Sequence, residues 1–401
     1  MEFRNVYMDY NATTPIHPEV KKVMIDSLDV FGNGSSMHGF GREAGIMIEK
    51  ARAQIAHLIN ADPSEIIFTA GGSESDNTVL KYVGCQNKTC SAKFSCPNCQ
   101  KNEIITTPIE HPAILETVKF LEASGITTKF MKVDATGRVN PEELYDLITE
   151  KTALISVMAA NNEIGTLQDI ARIAQIAHEK GVLFHTDAVQ AIGKIKIDVK
   201  AMGIDYLSMS GHKIYAPKGI GILYARKGAP YCPFVHGGHQ ESGRRAGTLN
   251  TTGIVSLGKA AELAEKELET ESARLLKLRN KLKAGIMASI PDIKINGNQE
   301  HTLPNTLNVS FIGAEGESIL LYMDLEGIAV STGSACSTGS LLPSHVLMAT
   351  GVDAELAHGS IRFSLGRENT EEDIDYVLEK LPPIIARIRK MSTVYKKGET
   401  K

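Results

Sequence analysis

The sequence predicts an α/β protein: a mostly parallel β-sheet covered by helices on both faces, followed by a smaller α+β part. Three observations carry this. Between about residues 50 and 225, short apolar runs alternate with segments of helical spacing. The runs are nearly continuous in apolar residues, as in strands buried on both faces. After about residue 253 the alternation gives way to one long amphipathic stretch and then strands mixed with helices.

In chain order, IEKARAQIAHLI (48–59) has apolar residues at helical spacing, and EIIFTA (65–70) is a short buried strand. The run EIITT is a strand, HPAILETVKFLEASG (111–125) a helix stopping at Gly125, and TTKFMKV (127–133) a strand. PEELYDLIT (141–149) has proline at a first helical position. TALISVMAA (152–160) is an apolar strand, ARIAQIAHEKG (171–181) a helix ending at Gly181, and VLFHTDAV (182–189) a strand. YLSMS (206–210) and GIGILYAR (219–226) are two more strands. Residues 255–290 form one long helical stretch stopped by Pro291. NTLNVSFI (305–312), a helix at 315–326, SIRFSL (360–365) and a helix from about 371 complete the chain.

Composition narrows the function classes. The 401 residues are 42% hydrophobic and 22% charged, as in an ordinary globular protein. A formal net charge of −4 argues against a nucleic-acid binder. No apolar run reaches the ~20 residues of a membrane span, and the first residues do not read as a signal peptide. The expected location is the cytoplasm. In a reducing compartment, clustered cysteines point to metal ligation or catalysis rather than disulfides.

Four predicted strands end in polar clusters, where ligands of open α/β sheets bind. In TAGGSESDN (69–77), Gly72 and Ser73 lead into a helix and suit a phosphate; taken alone, Ser73 reads better as an ordinary helix cap. In HTDAVQAIG (185–193), Asp187 can hold the proton of a ring nitrogen, or act as a cap, and Gln190 follows. In SMSGHK (208–213), Lys213 can form a Schiff base with an aldehyde cofactor, beside Ser208, Ser210 and His212. In MAANNEIG (158–165), Asn161 and Asn162 suit a carboxylate or a carbonyl oxygen, or form a turn. His111, in IEHPA after EIITT, can stack on a cofactor ring or start a helix. A phosphate cradle, a ring-nitrogen acid and a lysine on successive strands are what pyridoxal 5′-phosphate needs.

The sequence resembles the cysteine desulfurases of the nitrogen-fixation and iron–sulfur-assembly type, of the class V aminotransferase family. The resemblance runs from MDYNATTP (8–15) to IRFSLGRENTEEDID (361–375). Its most specific blocks are SGHKIYAPKGIG (210–221), NNEIG (161–165), DAVQAIGK (187–194), RRAGTLN (244–250) and STGSACST (331–338). It implies the pyridoxal-phosphate transferase fold of type I. A large cofactor-binding domain, 15–253, would hold a mostly parallel seven-stranded sheet and a Cys-rich insertion at about 85–100. A smaller α+β domain, 1–14 and 254–401, would carry the loop of Cys336.

The resemblance also implies roles. Lys213 is the Schiff-base lysine, and His111 stacks on the ring and moves protons. Asp187 pairs with the ring nitrogen, and Gln190 bonds the phenolic oxygen. Gly72, Ser73, Ser210 and His212 hold the phosphate, with Thr248 reaching across from the partner of a homodimer. Asn162 and Arg362 bind the carboxylate of L-cysteine; arginine grips a carboxylate with two parallel hydrogen bonds. Cys336, flanked by small residues, takes the sulfur as a persulfide while alanine leaves, which needs a thiolate. The acceptor is an iron–sulfur scaffold or another sulfur-accepting protein. Gly72-Ser73 departs from the Ala-Thr common in the family but keeps the hydroxyl, and Ala246 stands where serine is common. The uninterrupted stretch SLLPSHVLMATG (340–351) after Cys336 favours the long-loop branch of the family.

The largest departure is CQNKTCSAKFSCPNC (85–99), with Cys85, Cys90, Cys96 and Cys99. Four thiolates suit zinc or an iron–sulfur cluster. A redox pair, a sulfur relay and an idle insertion fit the same spacing. Cys232 reads as structural. The rivals to a desulfurase are a selenocysteine lyase, another enzyme of the same fold, and a non-catalytic metal-binding scaffold; intact Lys213, Asp187 and Cys336 argue against the last.

Overall fold

The structure is a computed structural model that describes residues 4–84, 101–332, 343–392 and 395. A short strand β1 (Val6–Tyr7) opens the chain, followed by helices α1 (Pro18–Asp26) and α2 (Gly39–Leu58). The central sheet then assembles from β2 (Ile66–Thr69), β3 (Glu103–Thr106), β4 (Thr127–Phe130), β5 (Thr152–Ser156), β6 (Leu183–Asp187), β7 (Tyr206–Ser210) and β8 (Gly221–Ala225). Between these strands run α3 (Gly72–Gly84), α4 (Pro112–Glu122), the one-turn α5 (Leu144–Leu147) and α6 (Ile170–Glu179).

The seven strands lie in the order β2-β8-β7-β6-β5-β3-β4. Only β8 runs against the rest, pairing antiparallel with both β2 and β7. All residues of β2, β3, β5, β7 and β8 are buried. Alternate side chains serve two different cores. Ile66, Phe68, Ile105, Ile155, Phe184 and Leu207 pack with α2 and α6 on one face. Ile67, Ile104, Leu154, Tyr206 and Leu223 pack with α3 and α4 on the other. Such double-sided burial is why the strand sequences read as unbroken apolar runs. Edge strand β4 is the exception, half exposed and carrying Thr127, Thr128 and Lys129. A charged, short edge discourages pairing with another chain.

Helix α7 (Thr251–Ser289) is a single rod of 39 residues. Its first half, with Ile254, Leu257 and Ala261, belongs to the core under the large sheet. Its second half, with Leu275, Leu278, Leu282 and Ile286, belongs to a separate core. That second core holds β9 (Ile293–Asn296), β10 (Thr306–Phe311), α8 (Gly316–Leu325), β11 (Ile328–Ala329) and β12 (Ser360–Ser364), closed by α11 (Glu371–Met391). Two short helices, α9 (His345–Ala349) and α10 (Ala354–His358), precede β12. Strands β12-β10-β9 form an antiparallel sheet, and β1 pairs parallel with β11. Val6 and Met8 are therefore part of the second core.

Some elements differ from the sequence expectation. In TTKFMKV the regular strand ends at Phe130, opposite Thr106 at the end of β3, and one further bond runs from the Met131 N–H to the Thr106 carbonyl. Proline at 141 starts a tight 3-10 turn (Pro141–Glu143) before α5, rather than one helix across 141–149. In TALISVMAA the regular strand ends at Ser156, yet the N–H groups of Val157 and Ala159 still donate to the carbonyls of His185 and Asp187, and both residues stay buried. Among the described residues no helix is long and apolar enough to cross a membrane.

A buried ion pair fastens the loop that follows β8. The Arg52 guanidinium on α2 donates to both carboxylate oxygens of Glu241, at 2.7 and 2.9 Å, and to the carbonyl of Ile66. Glu241 also accepts the backbone N–H of Phe68 on β2. Glu241 sits in the left-handed region (φ 49), so the loop is bent to deliver this carboxylate. Removing one partner leaves a buried charge uncompensated. Arg52→Ala should therefore lose about 3–5 kcal/mol in urea unfolding; a loss under ~1 kcal/mol would show that the pair behaves as a surface contact.

Candidate active site

The carboxyl ends of the parallel strands surround a cavity of about 360 Å³. Ten residues expected from sequence line it together: Gly72, Ser73, His111, Asn162, Asp187, Gln190, Ser210, His212, Lys213 and Arg362. Asp187 is the last residue of β6 and Ser210 the last of β7. A 3-10 turn, Gly211–Lys213, brings Lys213 round over the strand ends. Arg362 arrives from the smaller sheet, in the middle of β12.

The N-terminal segment closes this cavity. Lys213 Nζ donates to the carbonyls of Asn11 and Ala12, the latter at 2.6 Å. Gln190 Nε2 donates to the same Asn11 carbonyl at 2.9 Å. Asn11 Nδ2 in turn donates to the carbonyl of Asn162 and to Thr306 Oγ1. The Arg362 guanidinium pairs with Asp9 at 2.7 Å and donates to the carbonyl of Asn162.

Burial sets the electrostatics. Asp187 is buried with its carboxylate accepting the Val189 N–H at 2.9 Å. Desolvation pushes its pKa up, while His111 and Lys213 pull it back. Asp76, on α3, lines the same cavity; burial and the nearby Asp187 carboxylate push it well above the usual range. One of its oxygens, Oδ1, has no hydrogen-bond partner among the described residues. Desolvation lowers His111, opposed by Asp187. His111 caps α4 by accepting the Ala113 N–H at Nδ1, so in the neutral ring the proton sits on Nε2. His212 is pushed down to about 4, by burial first and then by the neighbouring lysines. Arg362 Nε is buried and has no hydrogen-bond partner among the described residues.

The two asparagines divide their work. Asn161 is buried and structural, its Oδ1 accepting the N–H groups of Glu163 and Ile164 and its Nδ2 reaching the carbonyl of Ile109. Asn162 lines the cavity. Ser73 is the second residue of α3 rather than its cap. Thr248 is exposed and does not line this cavity. Cys336 and the four cysteines Cys85, Cys90, Cys96 and Cys99 lie outside the described residues. Cys232 is half-buried against the α3–α4 face of the sheet.

Sequence reasoning missed Asn11, Ala12 and Asp76. Asn11 and Ala12 act through backbone carbonyls, which carry no side-chain signature. Asp76 stands in GSESDN, one turn into α3, where an acid reads as helix surface; the signal was the apolar pair Val79 and Leu80, three and four residues on, both buried.

A mostly parallel sheet, a strand-end cavity and a lysine turned over it define the class: a type-I pyridoxal-phosphate fold. Residues 6–377 match the family Aminotransferase class-V, and the chain belongs to that family. It is 50% identical over 395 residues to a protein of Clostridium botulinum named cysteine desulfurase IscS, covering 98% of this chain and 97% of that protein. A protein of the same name from Dictyoglomus turgidum is 48% identical, covering 97% and 96%. Among solved structures, a NifS-like protein superposes with a TM-score of 0.87 at 43% identity, covering 96% of this chain and 100% of that one. SspA in complex with cysteine superposes with a TM-score of 0.77 at 36% identity, covering 90% and 99%.

Next to His111, the Glu110 carboxyl is fully buried between Thr107 Oγ1 (2.7 Å) and the Met158 N–H (2.9 Å), and burial raises its pKa to about 8. The folded state keeps a proton that the unfolded chain releases between pH 4.5 and 8. This group therefore lowers stability as pH rises through that window. Gln at this position keeps the acceptor and removes the ionisation. The melting temperature of Glu110→Gln should gain on the wild type from pH 5 to 8; a constant difference across that range would contradict the burial argument.

Proposed function

We propose that this chain is a pyridoxal-phosphate cysteine desulfurase that converts L-cysteine to L-alanine and holds the sulfur as a persulfide on Cys336. The observation that carries the reading is the convergence of Lys213, Asp187 and Arg362 on one strand-end cavity, in a chain 50% identical to a named desulfurase. Pyridoxal 5′-phosphate, when bound, supplies an aldehyde for a lysine and an electron-withdrawing ring that takes up charge as substrate bonds break.

Features of this chain fit that cofactor. Asp187 is a buried acid on the cavity wall, pushed up by desolvation, and a cationic ring N–H would favour its carboxylate form. At Gly72 a Cβ would come within 2.7 Å of Val189 Cγ2, so glycine keeps the start of α3 close to the strand ends. Exposed backbone N–H groups there, with Ser73, Ser210 and His212, suit a phosphate.

Lys213 would carry the aldehyde end, Asp187 would hold the ring nitrogen's proton, and Gln190 would donate to the phenolic oxygen. His111 would cover the ring; its neutral imidazole, protonated at Nε2, can pass a proton. Arg362, its Nη2 already committed to Asp9, offers its bare Nε to the substrate carboxylate, with Asn162 beside it. The Cys336 thiolate attacks the sulfur of L-cysteine; an S–S bond forms, the Cβ–S bond breaks, and alanine leaves after proton transfer to its carbon.

The same reading includes a homodimer in which Thr248, exposed here, reaches the partner's phosphate, and a sulfur-accepting protein such as an iron–sulfur scaffold. It includes a cytoplasmic location and a division into units 15–253 and 1–14 with 254–401, supported by the two separate cores. Cys85, Cys90, Cys96 and Cys99 are read as a zinc or iron–sulfur site on the strength of their spacing. Metal content should fall in the double variant Cys96→Ser/Cys99→Ser; unchanged content removes that site.

The reading as a desulfurase has a sharper test. Lys213→Ala should lose the cofactor's visible absorbance band. Cys336→Ala should keep the band and drop sulfide release from cysteine by at least ~100-fold, as for loss of a covalent nucleophile. A colourless wild type, or sulfide release that survives in Cys336→Ala, overturns the reading.

A further inference from the structure

One residue of DAVQAIGK has no role so far: its last, Lys194. A lysine is an expensive residue to bury, and Lys194 is 9% exposed. Among the described residues no carboxylate lies within ion-pair distance of it. Its Nζ donates instead to two atoms of one residue, the carbonyl of Gln190 at 3.0 Å and the side-chain Oε1 of Gln190 at 3.2 Å.

The backbone is shaped for this. After β6 the chain makes a tight turn, with the N–H of Ala191 and of Ile192 donating to the carbonyl of Ala188. Gly193 then takes the left-handed conformation (φ 74). A Cβ there would meet Ile214 Cγ2 at 3.0 Å, so this reversal is built for glycine. The reversal folds Lys194 back beneath Gln190. Ser272 of α7 locks the result by donating to the Lys194 carbonyl at 2.7 Å.

A glutamine amide has two chemically opposite ends that pack alike, so a site needing one orientation must specify it. Here Oε1 faces the Lys194 ammonium and Nε2 faces the Asn11 carbonyl. Turning the amide over would set N–H groups against an ammonium and an oxygen against a carbonyl oxygen. Nε2 has two hydrogens, and Asn11 takes one. The second remains for an acceptor in the cavity that Gln190 lines.

We propose that Lys194 is a positioning residue that fixes the Gln190 amide with its N–H donors turned to the cofactor cavity. The inference rests on the cofactor reading above, in which Gln190 donates to the phenolic oxygen. Lys194 does not line that cavity and acts only through Gln190. Burial pushes its pKa down to about 7; the ammonium, which has no lone pair, is the form that rejects the turned-over amide.

The test is the pH midpoint of the bound cofactor's visible band in the reconstituted holoenzyme. Donation to the phenolic oxygen draws its charge away from the neighbouring nitrogen, so losing the donor should raise the midpoint. Gln190→Ala and Lys194→Met should each raise it, by at least about 0.5 pH unit for one lost neutral hydrogen bond. Combining the two should add nothing beyond Gln190→Ala. A Lys194→Met shift that persists in the Gln190→Ala background, or no shift in Lys194→Met, overturns the proposal. If Lys194→Met does not fold, Gln190→Glu keeps the acceptor toward Lys194 and removes the donors. It should raise the midpoint as Gln190→Ala does, and an unchanged midpoint overturns the proposal. A wild type with no visible band fails the cofactor reading instead, which separates the two failures.

Discussion

The carbonyl oxygen of Asn11 receives two hydrogen bonds, one from Lys213 and one from Gln190, and the site depends on that convergence. Lys213 and Gln190 belong to different strand ends of the large sheet, and Asn11 comes from the far N-terminus. The same short segment pairs Asp9 with Arg362 and ties Asn11 to Thr306 on β10. One turn of chain thus fastens the smaller sheet to the strand ends that form the cavity. Because most of these contacts are made by backbone or fully buried groups, little freedom is left in how Lys213 and Arg362 face each other.

Around that turn the protein buries many ionisable groups. Asp187, Asp76, Glu110 and Glu163 are all pushed up by desolvation, and His111, His185, His212 and Lys194 are all pushed down. Clusters of this kind are costly to fold and occur where chemistry needs them. They serve different ends here. Glu163, raised to about 7, accepts a hydrogen bond from Ser344 and so joins the NNEIG turn to the start of α9. His185 is held neutral between Ser156 and Ser208 and stays inside the sheet. Asp187 alone combines a buried carboxylate, a strand end and the cavity wall.

Much of this was legible in the sequence, for physical reasons. Strands buried on both faces must be apolar throughout, so β5, β6, β7 and β8 stood out, and the polar last residues of β6 and β7 stood out against them. Lys213, Asp187 and Ser210 were found because strand ends are where side chains leave the core. What stayed hidden depends on long-range contact. Asn11 works through its carbonyl, and nothing in MDYNATTP says which strand it will cross. Asn161 and Asn162 look equivalent as a pair, yet the turn sends one inward to hold its own backbone and one to the cavity. The 3-10 turn at Pro141 and the early end of β4 were lost because short elements take their limits from their neighbours rather than from their own residues.

The central claim is that sulfur leaves L-cysteine through this cavity and comes to rest on Cys336. The most direct measurement is peptide mass spectrometry of the holoenzyme after anaerobic incubation with L-cysteine. The account predicts that the peptide containing Cys336 gains the mass of one sulfur atom, and that alanine appears alongside it. Sulfur added to the peptide of Cys232 or of Cys85–Cys99, with none on Cys336, would contradict it.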